Sequence, residues 1–143
     1  MPMLTARKKR VPADIDIKRI NSGSAYEPQI GYCRVVVADG WVLVSGTTGN
    51  DHATMTTPES VTDQCELALA HINAALKNAG ASMADVVRVN YILPDRNDFE
   101  PCWPILRAAF GENPPAATMI EAGLIDPVMK IEIEVTACLP KSA

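Results

Sequence analysis

The stretch Pro114-Pro115-Ala116-Ala117-Thr118-Met119-Ile120-Glu121, followed by Lys130-Ile131-Glu132-Ile133-Glu134-Val135, constrains this chain more than any other. It predicts two strands joined by a short turn at Asp126-Pro127. In the second strand Ile131, Ile133, Val135 and Ala137 alternate with Glu132, Glu134 and Thr136. Successive side chains of a strand point to opposite faces, so one face is apolar and the other carries carboxylates. A sheet built on such a strand buries one side under helices. Its other side is left to water or to another subunit.

The rest of the chain supplies those helices and further strands. Residues 14–20 alternate like a short strand, and residues 21–29 are loop-like, rich in Ser, Gly and Pro. Residues 32–37 and 41–45 are apolar, β-branched runs separated by Ala38-Asp39-Gly40. The Asp-Gly pair provides the positive φ that a tight hairpin turn requires. A first long helix is predicted from about Thr57, which would cap it, with Pro58 at its first position. Val61, Cys65, Ala68, Leu69, Ile72, Ala75, Leu76 and Ala79 make one apolar face, and Gly80 stops the helix. Residues 86–93 read as a strand ended by Pro94. Asn97 or Asp98 caps a second helix in which Phe99, Trp103, Leu106 and Phe110 share a side, and Gly111 ends it. The order β, β-β, α, β, α, β-β lacks the regular alternation of a doubly wound fold. It predicts an α+β domain with two amphipathic helices covering one face of a single mixed sheet.

A chain of 143 residues suits one domain. The predicted organisation is a flexible basic arm over residues 1–13 and a single domain over 14–143. The net charge of −4 is uneven, because Arg7-Lys8-Lys9-Arg10 is a basic run. Without it the body carries about −8. Such a body does not suit a nucleic-acid groove, which neutralises phosphates with Lys and Arg. Cys33, Cys65, Cys102 and Cys138 are widely spaced, with no Cys-x-x-Cys or Cys/His pair at zinc spacing. They read as reduced, mostly packed thiols of a cytoplasmic protein. No apolar run is long enough to span a membrane, and no hydrophobic region follows the basic start as in a secretory signal.

Several pieces in order resemble the RidA (YjgF) family over about residues 15–140. They are Gly31-Tyr32 before an apolar hairpin, Val44-Ser45-Gly46, Asn78-Ala79-Gly80 with Asp85-Val86-Val87, Asn97-Asp98-Phe99, and the closing Lys-Ile-Glu-Ile-Glu run. The resemblance implies a chorismate-mutase-like α+β fold assembled as a homotrimer around a central barrel, with small-molecule clefts between neighbouring subunits. It further implies hydrolysis of reactive enamines and imines to 2-keto acids and ammonia, with no metal or organic cofactor. Trimer symmetry suits a sheet face bearing Glu132 and Glu134.

The same resemblance assigns roles by position. Glu132 matches the glutamate that holds the attacking water and serves as general base or acid. The ordinary alternative is a surface or interface glutamate. Tyr32 matches a tyrosine near the substrate, or is a packed strand aromatic. Ser45 and Gly46 match a strand end where backbone approaches the ligand, or close a strand by plain turn chemistry. Ala117 stands where the family has an arginine that clamps the substrate carboxylate, a bidentate geometry that only a guanidinium supplies well. Met119 stands where a cysteine contacts the ligand through its backbone. Trp103 stands where many members have a small polar residue, and core packing with Phe99 and Leu106 is the expected role. Arg34, two residues from Tyr32, is a candidate compensator for the missing arginine, against an ordinary solvent-facing or interface ion pair. Arg88 and Arg107 are weaker candidates. His52 and His71 have no partner at a spacing that suggests a metal or a nucleophilic dyad.

Three functions follow. The first is a cofactor-independent hydrolase or deaminase acting on an imine, enamine or related carbonyl metabolite. The second is a non-catalytic trimer that binds a metabolite in its clefts. The third is an RNA-binding or endoribonuclease-like protein, which rests on the label parts of the family have carried and on the basic run alone.

Overall fold

A computed structural model describes residues 15–141. The basic arm lies outside them. Six strands form one mixed sheet in the order β1-β2-β3-β6-β4-β5. They are β1 (Ile17–Ile20), β2 (Val35–Ala38), β3 (Trp41–Thr48), β4 (Val86–Leu93), β5 (Ala116–Glu121) and β6 (Glu132–Cys138). Three helices join them: α1 (Tyr26–Ile30), α2 (Val61–Asn78) and α3 (Trp103–Phe110). The α+β class, the single mixed sheet and the two longer helices on one face agree with the pattern of the sequence.

The β2–β3 hairpin turns at Asp39 and Gly40, both at positive φ (51° and 78°). That twist is the one that lets two right-handed strands pair across a two-residue loop. α2 packs on β3 and β6 through Cys65, Ala68, Ile72 and Leu76, all buried. Their i, i+3, i+4 spacing is the apolar face read from the sequence.

Four local expectations are corrected. α2 begins at Val61, not near Thr57. Ser60 is its N-cap, its Oγ accepting from the Asp63 N–H at 3.1 Å. Thr57 instead donates its hydroxyl to the Asn50 side chain. The stretch 21–29 contains α1, ended by Gly31 at φ 94°. The strand after it starts at Val35, so Tyr32, Cys33 and Arg34 precede it. The second helix begins later than Asn97: two short 3-10 turns, Arg96–Asp98 and Glu100–Cys102, precede α3, and Asp95 caps the first.

A larger correction concerns the last two strands. β5 and β6 are not neighbours, because β4 lies between them, parallel to β5 and antiparallel to β6. The turn at Asp126 exists, with Met129 N–H donating to the Asp126 carbonyl. It sits inside a longer crossing over residues 122–131. Gln64, fully buried in α2, holds this crossing. Its side-chain amide donates to the carbonyls of Pro58 and Val128 and accepts from the Lys130 N–H. The strand with the cleanest alternation takes the centre of the sheet, where Ile133, Val135 and Ala137 are buried. β5, exposed along nearly its whole length, takes an edge.

Candidate active site

Cross-strand partners share a face, so the register sorts the sheet into two sides. Val89, Tyr91, Ile133 and Val135 face the helices. Asn90, Ile92, Glu132, Glu134 and Thr136 face the other way. On that open face β3 carries a bulge between Val44 and Thr47, in which Ser45 and Gly46 fall out of register with β6. A bulge re-aims the backbone. Here it brings Gly46 against Glu132: a Cβ at Gly46 would stand 2.8 Å from Glu132 Oε1. The φ of Gly46 lies outside the left-handed region, so the close approach there is to the Glu132 side chain, and a larger residue would displace that carboxylate.

Arg34 holds the bulge from the other side. Its Nη1 donates to the carbonyls of Gly46 (2.8 Å) and Ser45 (3.4 Å) and to Thr47 Oγ1 (3.2 Å). Its guanidinium lies 5.7 Å from the Tyr32 ring centre. Within the chain Arg34 makes no ion pair among the described residues. Among the described residues the ion pair within 4 Å is Arg96–Glu121. Arg34 is a structural clamp on backbone carbonyls, and its charge reaches the carboxylates nearby. Ser45 Oγ donates to the Cys33 carbonyl at 2.7 Å, tying the bulge to the segment before β2.

The two glutamates differ in surroundings. Glu134 accepts from Asn90 Nδ2 at 2.8 Å. Burial pushes the Glu132 carboxyl above the usual carboxylate range, the charge of Glu134 adds to this, and Arg34 partly offsets both. A carboxylate of raised basicity beside a backbone bulge, a guanidinium and a tyrosine can take a proton from water and return it to a leaving group.

An open cleft of about 490 Å³ adjoins this centre, lined in part by Tyr32 and Ser45. Glu27 forms part of its wall and is itself buried. Burial acts to raise its pKa. Hydrogen bonds from the Ser22 N–H, the Ser22 hydroxyl and the Ser24 N–H, together with Arg34, outweigh burial and hold the carboxyl below its ordinary value.

A profile of the endoribonuclease L-PSP family matches residues 22–139. The RutC family protein UK114 of Drosophila melanogaster is 32% identical over 121 residues, covering 84% of this chain and 88% of its own. The chain belongs to the RidA (YjgF) family. The human 2-iminobutanoate/2-iminopropanoate deaminase is 29% identical, with 85% of this chain and 90% of that one covered. Among solved structures, a YjgF/YER057c/UK114 family member from Mycobacterium tuberculosis superposes with a TM-score of 0.79 at 34% identity. It covers 87% of this chain and all of that one.

Against this RidA-family frame, the expected site residues fall into two groups. Tyr32, Arg34, Ser45, Gly46 and Glu132 come together on one chain. Ala117, Met119 and Trp103 do not join them. Ala117 pairs with Val89 and Met119 with Tyr91, so both lie on the helix-bearing side. Glu132 pairs with Ile92, which pairs with Ile120. By strand spacing Ala117 is about 14 Å from Glu132, on the opposite face. Trp103 departs from core packing: it is 50% exposed, while Leu106 and Phe110 are buried. It stands edge-on to Phe99 at 6.1 Å, and Phe99 packs on Tyr91 at 5.2 Å. Trp103 is thus linked through Phe99 to Tyr91, the strand partner of Met119, on the side of the sheet that also bears Ala117.

Arg88 donates to Thr118 on the open face, and Arg107 is exposed on α3. His52 and His71 do have a partner, each other, with ring centres 4.5 Å apart. His71 also bonds the Asn50 carbonyl. This pair lies in the loop after β3 and on α2. Among the described residues no group of three or more His, Cys, Asp or Glu side chains is arranged to hold a metal ion. Sequence reasoning missed Glu27, Arg19 and Cys33 as cleft residues. The Ser24-x-x-Glu27 spacing, a capping-box signature, was the available signal for Glu27.

Proposed function

We propose that the protein hydrolyses an imine, an enamine or a related carbonyl compound, in clefts formed between the subunits of a homotrimer. The observation that carries this reading is the Glu132 carboxyl, raised in basicity and seated against Gly46 beside Arg34. Relatives named as 2-iminobutanoate/2-iminopropanoate deaminases support the reaction class. In the proposed step Glu132 removes a proton from water as the water oxygen bonds to the imine carbon. The proton then passes to nitrogen, giving a carbinolamine; its hydroxyl proton moves by way of the same carboxylate to the amino group as the carbon–nitrogen bond breaks, so that ammonia leaves behind a carbonyl. For an enamine, the protonated carboxyl first delivers its proton to carbon, giving the iminium ion and leaving the carboxylate free to act as the base for water.

The two-group arrangement supports the trimer. A clamp at position 117 and a base at position 132 cannot serve one ligand from a single chain, because they face opposite sides of the sheet. A neighbouring subunit can bring the Ala117, Met119 and Trp103 group to the Glu132 group of the next. Ala117 itself offers no charge to a substrate carboxylate. Loss of a hydrogen bond to a charged group costs about 1.5–3 kcal/mol, roughly tenfold to over a hundredfold in binding.

Hydrolysis of a freshly generated 2-imino acid by the native protein and by Ala117→Arg tests the reading. Low native activity with a gain of tenfold or more in the variant is expected. No activity in either assembled protein, on this or a carboxylate-free imine, favours the second reading, a non-catalytic metabolite binder. That reading draws its support from Ala117.

A further inference from the structure

The cleft beside Ser45 contains a guanidinium that no side chain among the described residues pairs with. Arg19, on β1, lines it together with Tyr32 and Ser45. Among the described residues Arg19 takes part in no ion pair within 4 Å, and no side-chain hydrogen bond there involves it. The other charged groups around the cleft are occupied. Glu27 is 2% exposed and its two carboxylate oxygens accept from Ser22 and Ser24. Arg34 is spent on the carbonyls of Ser45 and Gly46. Arg19 is thus the one cation lining this cleft that is free to meet a ligand among the described residues.

The register fixes where that cation stands relative to Glu132. Arg19 pairs with Val36, Val36 with Leu43, and Leu43 with Thr136. All four share the open face with Glu132, which lies four residues before Thr136 on β6. Three strand spacings across and four residues along give about 19 Å between the Cα atoms of Arg19 and Glu132. The cleft is lined by Arg19 and by Ser45, and Gly46, next to Ser45 in the bulge, lies against Glu132.

We infer that Arg19 is an anion-binding residue of this site, and that the ligand carries its carboxylate or phosphate several bonds away from the carbon that Glu132 addresses. This inference rests on the proposed role of Glu132 and adds the shape of the substrate to it. A 2-imino or 2-oxo acid separates the two groups by a single carbon–carbon bond, far less than the distance between Arg19 and Glu132. A charged group with a free guanidinium gains strongly from pairing, so Arg19 selects for the distal anion. The absence of a cation at position 117 then follows from a substrate whose charge lies elsewhere.

The test uses three stable eight-carbon ligands, titrated by calorimetry into the full-length native protein, Arg19→Gln and Arg19→Lys. 7-Oxooctanoate has the distal carboxylate, 2-oxooctanoate the adjacent one, and 2-octanone none. The native protein is expected to bind 7-oxooctanoate at least tenfold tighter than the other two. Arg19→Gln should erase that preference while leaving 2-octanone unchanged, and Arg19→Lys should restore part of it. Equal binding of both acids, a preference that survives in Arg19→Gln, or no binding of any ligand would overturn the inference. Failure of this kind is distinguishable from failure at Glu132. Imine hydrolysis that is lost in Glu132→Gln but indifferent to Arg19 would keep the reaction and remove only the anion site.

Discussion

Glu132 and Glu134 lie two residues apart on one face and have opposite surroundings. Glu134 accepts a hydrogen bond from Asn90, and Glu132 sits half-buried against Gly46. Burial is the main reason that Glu132 holds its proton more tightly, and the Glu134 charge is the second. Removing that charge in Glu134→Gln leaves burial in place but favours the ionised form of Glu132, so its pKa falls. The acidic limb of the pH–rate profile is therefore expected to move to lower pH, with kcat on the plateau little changed. An unchanged limb would show that the two carboxylates do not interact. At this scale the sequence was partly informative. Resemblance located Glu132 and the Ser45-Gly46 pair. Nothing in the spacing of residues shows that Gly46 lies against a carboxylate 86 positions later, or that Arg34 spends its guanidinium on two carbonyls.

Among the elements, those set by local chemistry were legible. The Asp39-Gly40 turn and the apolar face of α2 required only neighbours within a few residues. The start of α2 was misplaced because Thr57 and Ser60 both satisfy the N-cap rule, and the competing bond from Thr57 to Asn50 decides between them. The place of β5 was not legible, because strand neighbours depend on non-local pairing and a period-two pattern fits an edge or a centre equally well. The contact between β3's end and α2 is similarly non-local. A Cβ at Gly49 would clash with the backbone oxygen of Gln64. Gly49→Ala must push α2 off the sheet or bend β3, and should cost about 1–3 kcal/mol. Urea denaturation measures it: a midpoint equal to native would mean that this close approach is relaxed in solution.

For the whole molecule, one sheet face is covered by α2 and α3 and the other is open. The open face mixes carboxylates with exposed Trp41, Leu43 and Ile120. No helix of the described residues is long and apolar enough to cross a membrane. An apolar surface of this kind on a sheet face that no helix of the described residues covers fits association with copies of itself. The proposed trimer predicts a solution mass of three 15.4 kDa chains, about 46 kDa, by light scattering. A 15.4 kDa species would separate Ala117, Met119 and Trp103 from Glu132 and leave no complete cleft. In the proposed reaction Glu132 performs the proton transfer of imine hydrolysis. The most direct measurement compares the rate at which native protein and Glu132→Gln hydrolyse a freshly generated imine with a distal carboxylate, near neutral pH. The native protein is expected to accelerate the reaction, and the variant to lose about a hundredfold or more of that acceleration while keeping its mass and fold. Equal rates in the two proteins would contradict the account.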